Sequence, residues 1–188
     1  VEMEGLGVGV APTITRRNID ELPQLIKLIS DLGVKKLCAF NFVPTGRGRD
    51  MVDEDLTPHQ RERMLELLYE QLWKNEISAY STCPQFGRFC LEKNPEGPVA
   101  TSHFSASAAK QAKVLAEYIG GCGAGRAYCA IQPNGVITPC VFMQLPIGDL
   151  RKQSFAEIWE KSPVLRELRD RNKLKEHCGV CDYRDVCG

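Results

Sequence analysis

The stretch HCGVCDYRDVC, His177 to Cys187, places three cysteines close to the end of the sequence, at Cys178, Cys181 and Cys187. Two thiols separated by two residues can bind one metal ion or one edge of a cluster, because the turn between them directs both sulfurs to the same side. The chain contains nine cysteines in all. A secreted disulfide scaffold would favour an even count and a small, loop-rich domain, so the odd count indicates a metal or iron–sulfur site in a reducing compartment.

Three further cysteines precede this stretch in a regular order. Cys122 is followed by a predicted hairpin that contains Gly135, and four residues separate Gly135 from Cys140. Cys129 lies between Cys122 and the hairpin. Zinc and iron–sulfur clusters both accept sets of thiolates, so the spacing alone leaves both alternatives open.

The charge balance limits the classes of partner. The chain has 24 basic and 24 acidic residues and a formal net charge of zero, so we expect neither nucleic acid nor an acidic membrane as a partner. No apolar run approaches the length of a bilayer span, and no transmembrane helix is expected. The first residues, VEMEGLGVGV, lack the basic start and the cleavage site of a signal peptide. These features predict a cytoplasmic protein whose sequence begins partway through a strand.

The first 90 residues alternate apolar, β-rich segments with amphipathic helical segments. This alternation predicts a parallel sheet with right-handed crossovers. Three strands are too few to close a barrel or to bury both faces of a sheet, so the region is expected to be part of a larger α/β sheet or barrel. The predicted elements are a strand at Gly7–Thr15, a helix from Asn18 capped through Glu21 and ending at Gly33, a strand at Lys35–Val43, a loop at Pro44–Asp50, a helix from Thr57 to Lys74 capped through Gln60, and a strand at Ile77–Ser81.

The composition changes beyond residue 91. Residues 91–121 are expected to be a mixed connection, and the rest of the chain alternates short apolar runs, turns and capped helices. The predicted elements are a helix at Ser107–Ile119, a hairpin around Pro133-Asn134-Gly135, a helix capped by Ser154 and Glu157, and a helix from Ser162 to about Asn172.

The ordered cysteines and the segments around them resemble the SPASM domain, the C-terminal extension of many radical S-adenosylmethionine (SAM) enzymes. The similar segments are GCGAGRAYCAIQPNGVITPC (121–140), IGDL (147–150), SFAEIW (154–159), LRELRDR (165–171) and the tail stretch. In the first half, TITRRNIDEL (13–22) and FNFVPTGRG (40–48) look like the fifth and sixth strand–helix units of the radical SAM partial barrel. The resemblance implies an α/β fold with the C-terminal portion of a partial barrel over 1–90, a connection with a helix over 91–121, and a small α+β SPASM domain over 122–188, truncated at its end.

The resemblance also implies two auxiliary [4Fe–4S] clusters and favours them over zinc, which remains a substitute for this chain alone. In the family each cluster takes a fourth cysteine from beyond the tail triplet, which would place both after Gly188. The family's radical-cluster motif lies on the first barrel strand, and no segment here has its spacing, so S-adenosylmethionine would be a cofactor of a longer parent protein. By position, Cys122, Cys129 and Cys140 would bind the first cluster, with Cys129 the least fixed by the spacing, and Cys178, Cys181 and Cys187 the second.

Three residues outside the cysteine framework are candidates for binding substrate. Arg47 and Arg49 follow the carboxyl end of a predicted strand, where barrel active sites lie, and could hold a carboxylate or phosphate; the alternative is a solvated basic loop. Cys83 begins the segment CPQFGR, which resembles the entrance to the active site in tetrapyrrole-modifying members. A buried core thiol is the alternative for Cys83, as for Cys38 and Cys90. No catalytic residue is assigned.

The resemblance implies the C-terminal part of a radical SAM oxidoreductase or maturase, whose clusters support radical modification of a peptide, a tetrapyrrole or a cofactor precursor. PTGRG and CPQFGR are similar to the haem-pathway and metallo-oxidoreductase maturase branch. Sulfatase-maturating relatives carry a catalytic Asp where this chain has Val141, so their chemistry is not expected. The implied partners are an N-terminal radical SAM half, an electron donor such as a flavodoxin or ferredoxin, and the substrate. The chain is not expected to be active alone. The alternative is a non-catalytic zinc- or cluster-bound module that docks a peptide or partner protein.

Overall fold

A parallel sheet forms the first half of the computed structural model, which describes residues 7–74, 76–101, 105–106, 114–115 and 119–187. The central strand β3 (Lys36–Asn41) pairs in parallel with β1 (Gly9–Val10), β2 (Thr13–Ile14) and β4 (Ser78–Ser81). The parallel pairing predicted from the sequence is therefore present.

The first predicted strand is divided into two short pieces. β1 and β2 face β3 at the same offset, with Gly9 opposite Lys36 and Thr13 opposite Phe40, so both lie on one edge of β3. Pro12 lies at the break, and because it has no N–H it cannot donate a ladder hydrogen bond.

Two long helices pack apolar side chains into the core that covers the sheet. They are α1 (Leu22–Asp31) and α2 (Pro58–Lys74), and each follows a strand along the chain. Burying apolar side chains of this size stabilises the fold by about 1.5–3 kcal/mol each. The buried apolar side chains of these helices are Leu22, Ile26, Ile29, Met64, Leu65, Leu68 and Tyr69.

The two predicted helix caps have different outcomes. The capping box of α2 is present: Gln60 N–H donates to Thr57 Oγ1 (3.2 Å) and Thr57 N–H donates to Gln60 Oε1 (3.0 Å). The box predicted at Asn18 is wrong, because its side chain accepts from Thr15 N–H (2.8 Å) and donates to the Thr13 carbonyl (2.9 Å) instead. A short 3₁₀ turn, Ile19–Glu21, therefore separates Asn18 from α1.

A third helix, α3 (Gln85–Lys93), was not predicted from the sequence. It buries Phe86, Phe89 and Cys90 in the same core as the sheet. An antiparallel pair, β5 (Val99–Ala100) and β6 (Ser105–Ala106), follows it. Most of the helix predicted over 107–119 lies outside the described residues.

The second half is built on an antiparallel sheet of β7 (Ala130–Ile131), β8 (Val136–Thr138) and β9 (Gly148–Asp149). Gly135 has φ +80 in the turn between β7 and β8, a conformation that glycine adopts without strain. The helices that follow are α4 (Phe155–Lys161), α5 (Pro163–Arg169), α6 (Glu176–Gly179) and α7 (Arg184–Cys187).

The C-terminal helix α7 packs on α3, so the tail contacts the first half. Val186 of α7 is buried in the core of the parallel sheet. A Cβ on Gly87 of α3 would lie 2.5 Å from Val186 Cγ1, which shows how closely the two helices approach. Among the described helices, none combines the length and apolarity needed to cross a membrane.

Candidate metal centre

The carboxyl ends of β3 and β4 carry polar groups that form one edge of the site. Asn41 N–H donates to Thr82 Oγ1 (2.8 Å), and Ser81 Oγ donates to the Ala39 carbonyl (2.9 Å). Cys83 N–H donates in turn to Ser81 Oγ (3.0 Å). These bonds fix the segment that leads into α3. Ligands of parallel α/β sheets bind at the carboxyl ends of the strands, so this edge is the expected place for one.

The guanidinium of Arg61 lies at the same edge. It donates to Asn41 Oδ1 and to Asp55 Oδ1 (2.9 Å), and it also interacts with Cys83. Burial raises the pKa of the Cys83 thiol, and the Arg61 charge offsets only part of that increase. Cys83 is therefore a neutral thiol at neutral pH.

Two predicted ligands, Cys122 and Cys140, meet at Tyr128. Tyr128 Oη donates to Cys140 Sγ at 3.9 Å and also interacts with Cys122. Cys140 is buried just after β8, where its sulfur accepts from Phe142 N–H (3.4 Å). Burial and the two neighbouring thiols raise the pKa of Tyr128 well above its usual value, so the phenol remains a hydrogen-bond donor to sulfur.

A cleft of about 630 Å³ connects these two cysteines with the carboxyl ends of β3 and β4, called the sheet edge below. Three apolar side chains in its wall are at least one-third exposed: Val43 36%, Phe142 47% and Met143 40%. A mostly apolar wall with a few placed polar groups is typical of small-molecule sites. The cleft is lined by Asn41, Val43, Thr82 and Pro84 from the sheet edge, and by Gly121, Cys122, Ala124, Tyr128, Cys140, Phe142 and Met143 from the second half.

The tail cysteines form a second group around α7. The turn between Cys178 and Cys181 includes a hydrogen bond from Cys181 N–H to the Cys178 carbonyl (3.5 Å). Burial is the main cause that raises the pKa of Cys187 to about 11. The thiols of Cys83, Cys178 and Cys181 contribute to this increase, and Arg88 opposes it. The tail thiols are therefore near one another, and Cys83 brings a fourth thiol from the first half.

The donor set fits an iron–sulfur cluster. Within the part of the chain that the structure describes, no three Cys, His, Asp or Glu side chains converge closely enough to hold one metal ion. Each thiolate of a [4Fe–4S] cluster binds a different iron atom, so its ligands surround the cluster instead of meeting at one point. The thiols at Tyr128 and those around α7 are the donors that such a cluster would use.

The remaining predicted site residues have other surroundings. Cys129 is half-buried, and burial raises the pKa of its thiol. Arg47 and Arg49 are exposed on the 3₁₀ segment Gly46–Glu54 and do not line the cleft beside Cys122. The ligand role of Cys129 and the substrate roles of the two arginines stay predictions.

Sequence reasoning missed Tyr128 and Arg61. Tyr128 has a usable signal, because it is an aromatic hydroxyl inside the Cys122–Cys140 framework. Arg61 has no such signal in the sequence, because it lies on the polar side of an ordinary amphipathic helix. Only the fold brings it to the carboxyl ends of the strands.

Comparison with known proteins identifies the second half. Residues 122–182 match SPASM, an iron–sulfur cluster-binding domain. The resemblance of the chain to radical SAM enzymes that carry a SPASM domain is confirmed by this match together with the relatives and the structural neighbour.

The matching relatives are longer than this chain. An AdoMet-dependent heme synthase of Methanosarcina barkeri is 31% identical over 176 residues, which cover 93% of this chain and 48% of the relative. The pre-heme d1 synthase of Dinoroseobacter shibae is 29% identical, with coverage of 98% and 46%. Mycofactocin maturase MftC of Mycobacterium tuberculosis is 30% identical, with coverage of 96% and 41%. The chain spans about half the length of the curated relatives it matches.

The fold is also similar to a solved structure described as native anSMEcpe with bound AdoMet and Cp18Cys peptide. The TM-score is 0.55 over 95% of this chain and 46% of that chain, at 15% sequence identity. The mixed α/β arrangement described above is therefore similar in fold to that solved structure.

Proposed function

We propose that this chain is the cluster-binding part of a radical SAM enzyme that modifies a tetrapyrrole. The observation that carries the proposal is the cleft in which the sheet edge and two cluster-ligand candidates face the same space. Bound clusters would supply one-electron transfer near that space. The proposed ligands are Cys122, Cys129 and Cys140 for one [4Fe–4S] cluster and Cys178, Cys181 and Cys187 for the other.

The substrate class follows from the wall of the cleft. Val43, Phe142 and Met143 present apolar surface, and Asn41 and Thr82 present hydrogen-bonding groups at one end. A flat, largely apolar ring system with polar substituents suits such a surface. The names of two relatives, AdoMet-dependent heme synthase and pre-heme d1 synthase, support the same class. The radical-generating part would belong to the longer parent protein, which would sit as a partial barrel against this sheet and receive electrons from a flavodoxin or ferredoxin.

A second candidate is the maturation of a peptide or a peptide-derived cofactor. The similarity to mycofactocin maturase MftC favours it. The same clusters and cleft would serve that reaction, so the two candidates differ only in the molecule that the cleft binds.

The cluster assignment is tested by anaerobic reconstitution with iron and sulfide. The full chain should bind iron and sulfide and develop a broad sulfur-to-iron charge-transfer absorption. Cys122→Ser and Cys140→Ser should lower the iron content, whereas Cys38→Ser, a half-buried thiol on β3 outside both groups, should not. Tight zinc binding without iron uptake would contradict the assignment.

The substrate class is tested by titrating the reconstituted chain with iron–coproporphyrin. Binding should shift the porphyrin absorption, and Phe142→Ala should weaken it. Phe155→Ala is the matched control, because Phe155 is a similarly exposed aromatic (45%) that stacks on Trp159 away from the cleft. Equal affinity in both variants would mean that the porphyrin does not bind in this cleft.

A further inference from the structure

The backbone around Tyr128 is held against the residues that follow Cys122. Two hydrogen bonds close this loop, one from Tyr128 N–H to the Gly123 carbonyl (3.2 Å) and one from Gly125 N–H to the Tyr128 carbonyl (2.9 Å). Tyr128 and Cys122 also line the same cleft. The position of the Tyr128 side chain is therefore tied to that of the first proposed ligand.

The sulfur of Cys140 accepts two hydrogen bonds. Tyr128 Oη donates to Cys140 Sγ at 3.9 Å, and Phe142 N–H donates to the same sulfur at 3.4 Å. Thr138 Oγ1 donates to the Cys140 carbonyl (3.1 Å), which fixes the backbone just after β8. Cys140 is buried, so these protein donors take the place of water at its sulfur.

Donors placed at a ligand sulfur affect the charge of the group that the sulfur binds. A thiolate that ligates iron carries negative charge, and one-electron reduction of a cluster adds to it. Hydrogen bonds to charged acceptors are stronger than those to neutral ones, so a hydrogen bond to this sulfur strengthens on reduction. Such hydrogen bonds are among the factors that set the reduction potential of an iron–sulfur cluster.

We propose that Tyr128 is a positioning residue whose hydroxyl, acting through Cys140, raises the reduction potential of the cluster proposed at Cys122 and Cys140. The inference rests on the proposed function, because it assumes an iron–sulfur cluster at these cysteines. The phenol acts only as a hydrogen-bond donor, and it neither binds iron nor transfers its proton. Phe142 N–H donates from the backbone whichever side chain stands at that position, so Tyr128 is the side chain that adjusts this potential.

The test is a redox titration of the reconstituted full chain, monitored by electron paramagnetic resonance after iron and sulfide have been counted. Tyr128→Phe removes the hydroxyl and keeps the ring. It should lower the equilibrium constant for reduction of one cluster by about threefold to tenfold, which for one electron is about 30–60 mV, and leave the other cluster unchanged. Tyr80→Phe is the matched control, because the Tyr80 hydroxyl interacts with Cys38, a thiol outside both cysteine groups. It should leave both potentials unchanged.

The outcomes separate this inference from the proposed function. Failure of the wild-type chain to bind iron and sulfide would overturn the proposed function and the inference with it. A full iron count in Tyr128→Phe with both potentials unchanged, or with both shifted equally, would overturn the inference alone. If Tyr128→Phe loses iron, the chain with 3-fluorotyrosine at position 128 decides, because its more acidic hydroxyl is a stronger donor. A higher potential of one cluster in that chain would support the inference, and unchanged potentials would overturn it.

Discussion

Replacing Gly121 with Ala should separate the tail from the rest of the chain. Gly121 lies next to Cys122, and a Cβ at this position would contact the Val186 carbonyl and lie 2.5 Å from the Cys187 carbonyl oxygen and 2.8 Å from its carbon. These are backbone atoms, so no side-chain rotation relieves the overlap. The backbone of Gly121 has no positive φ, and the cost is therefore steric and not conformational.

The magnitude follows from two opposing effects. Overpacking a close contact costs about 1–3 kcal/mol, with the upper part of that range expected where backbone must move. Replacing glycine also reduces the entropy of the unfolded chain, which stabilises the fold by about 0.4–1 kcal/mol. The net loss in the free energy of unfolding should be about 2 kcal/mol, which corresponds to a fall in Tm of about 4–8 °C for a chain of this size.

Two variants serve as controls for Gly121→Ala in thermal unfolding followed by circular dichroism. Gly7→Ala should be nearly neutral, because nothing lies within 4 Å of its Cβ position. Gly87→Ala meets the Val186 side chain at 2.5 Å, but Gly87 lies within α3, where alanine is favoured over glycine by about 1 kcal/mol. Its net effect should therefore lie between those of Gly7→Ala and Gly121→Ala.

The same variant should affect the two cysteine groups differently. Moving α7 displaces Cys187 directly, whereas Cys122 and Cys140 keep their contacts with Tyr128. Reconstituted Gly121→Ala should therefore lose iron from one cluster and retain the other. Equal Tm values for Gly121→Ala and Gly7→Ala would refute the reasoning, because they would show that the tail does not pack against Gly121 in solution.

Three further outcomes are expected. Cys178→Ala combined with Cys181→Ala, or chelation of the metal, should increase hydrogen exchange across residues 122–187 far more than in the parallel-sheet half. The reason is that coordination supplies much of the folding free energy of a small domain. Equal protection in both halves would contradict this. The chain should not produce 5′-deoxyadenosine from S-adenosylmethionine under a strong reductant, because it has no radical-cluster motif, and turnover above a protein-free control would show otherwise. Thr57→Ala should lower the free energy of unfolding, measured by denaturant titration, by about 1 kcal/mol through loss of the α2 cap. The side chain of Thr45 makes no cap hydrogen bond, so Thr45→Ala should be close to neutral in the same measurement.

Features set by neighbouring residues could be predicted from the sequence. The Thr57–Gln60 box, the turn at Gly135 and the caps at Ser154 and Ser162 each depend on atoms a few residues apart, and each is present. Asn18 shows the limit of this reasoning. Its sequence context fits a capping box, but the end of β2 offers its side chain a nearer carbonyl and N–H, and the helix begins later.

Features set by distant residues could not be predicted in the same way. The family resemblance identifies six cysteines but not Cys83, which reaches the tail group because α3 packs on α7. Arg171, which lines a recess together with Cys122, comes from the 3₁₀ turn after α5. No local pattern records that segments so far apart in the sequence meet, because their contact depends on tertiary packing.

The contact between α7 and α3 links cluster binding to the stability of the sheet half. Val186 is buried in the core of the sheet, and the next residue, Cys187, is a proposed ligand. A cluster that binds only the folded tail stabilises the tail by RT ln(1 + [L]/Kd), where [L] is the concentration of free cluster and Kd is its dissociation constant. Part of that free energy holds Val186 in the core. Conversely, a well-packed α7 places Cys187 before any iron arrives, which lowers the entropy cost of binding. The tail is therefore a structural part of the first half as well as the segment that carries the proposed ligand Cys187.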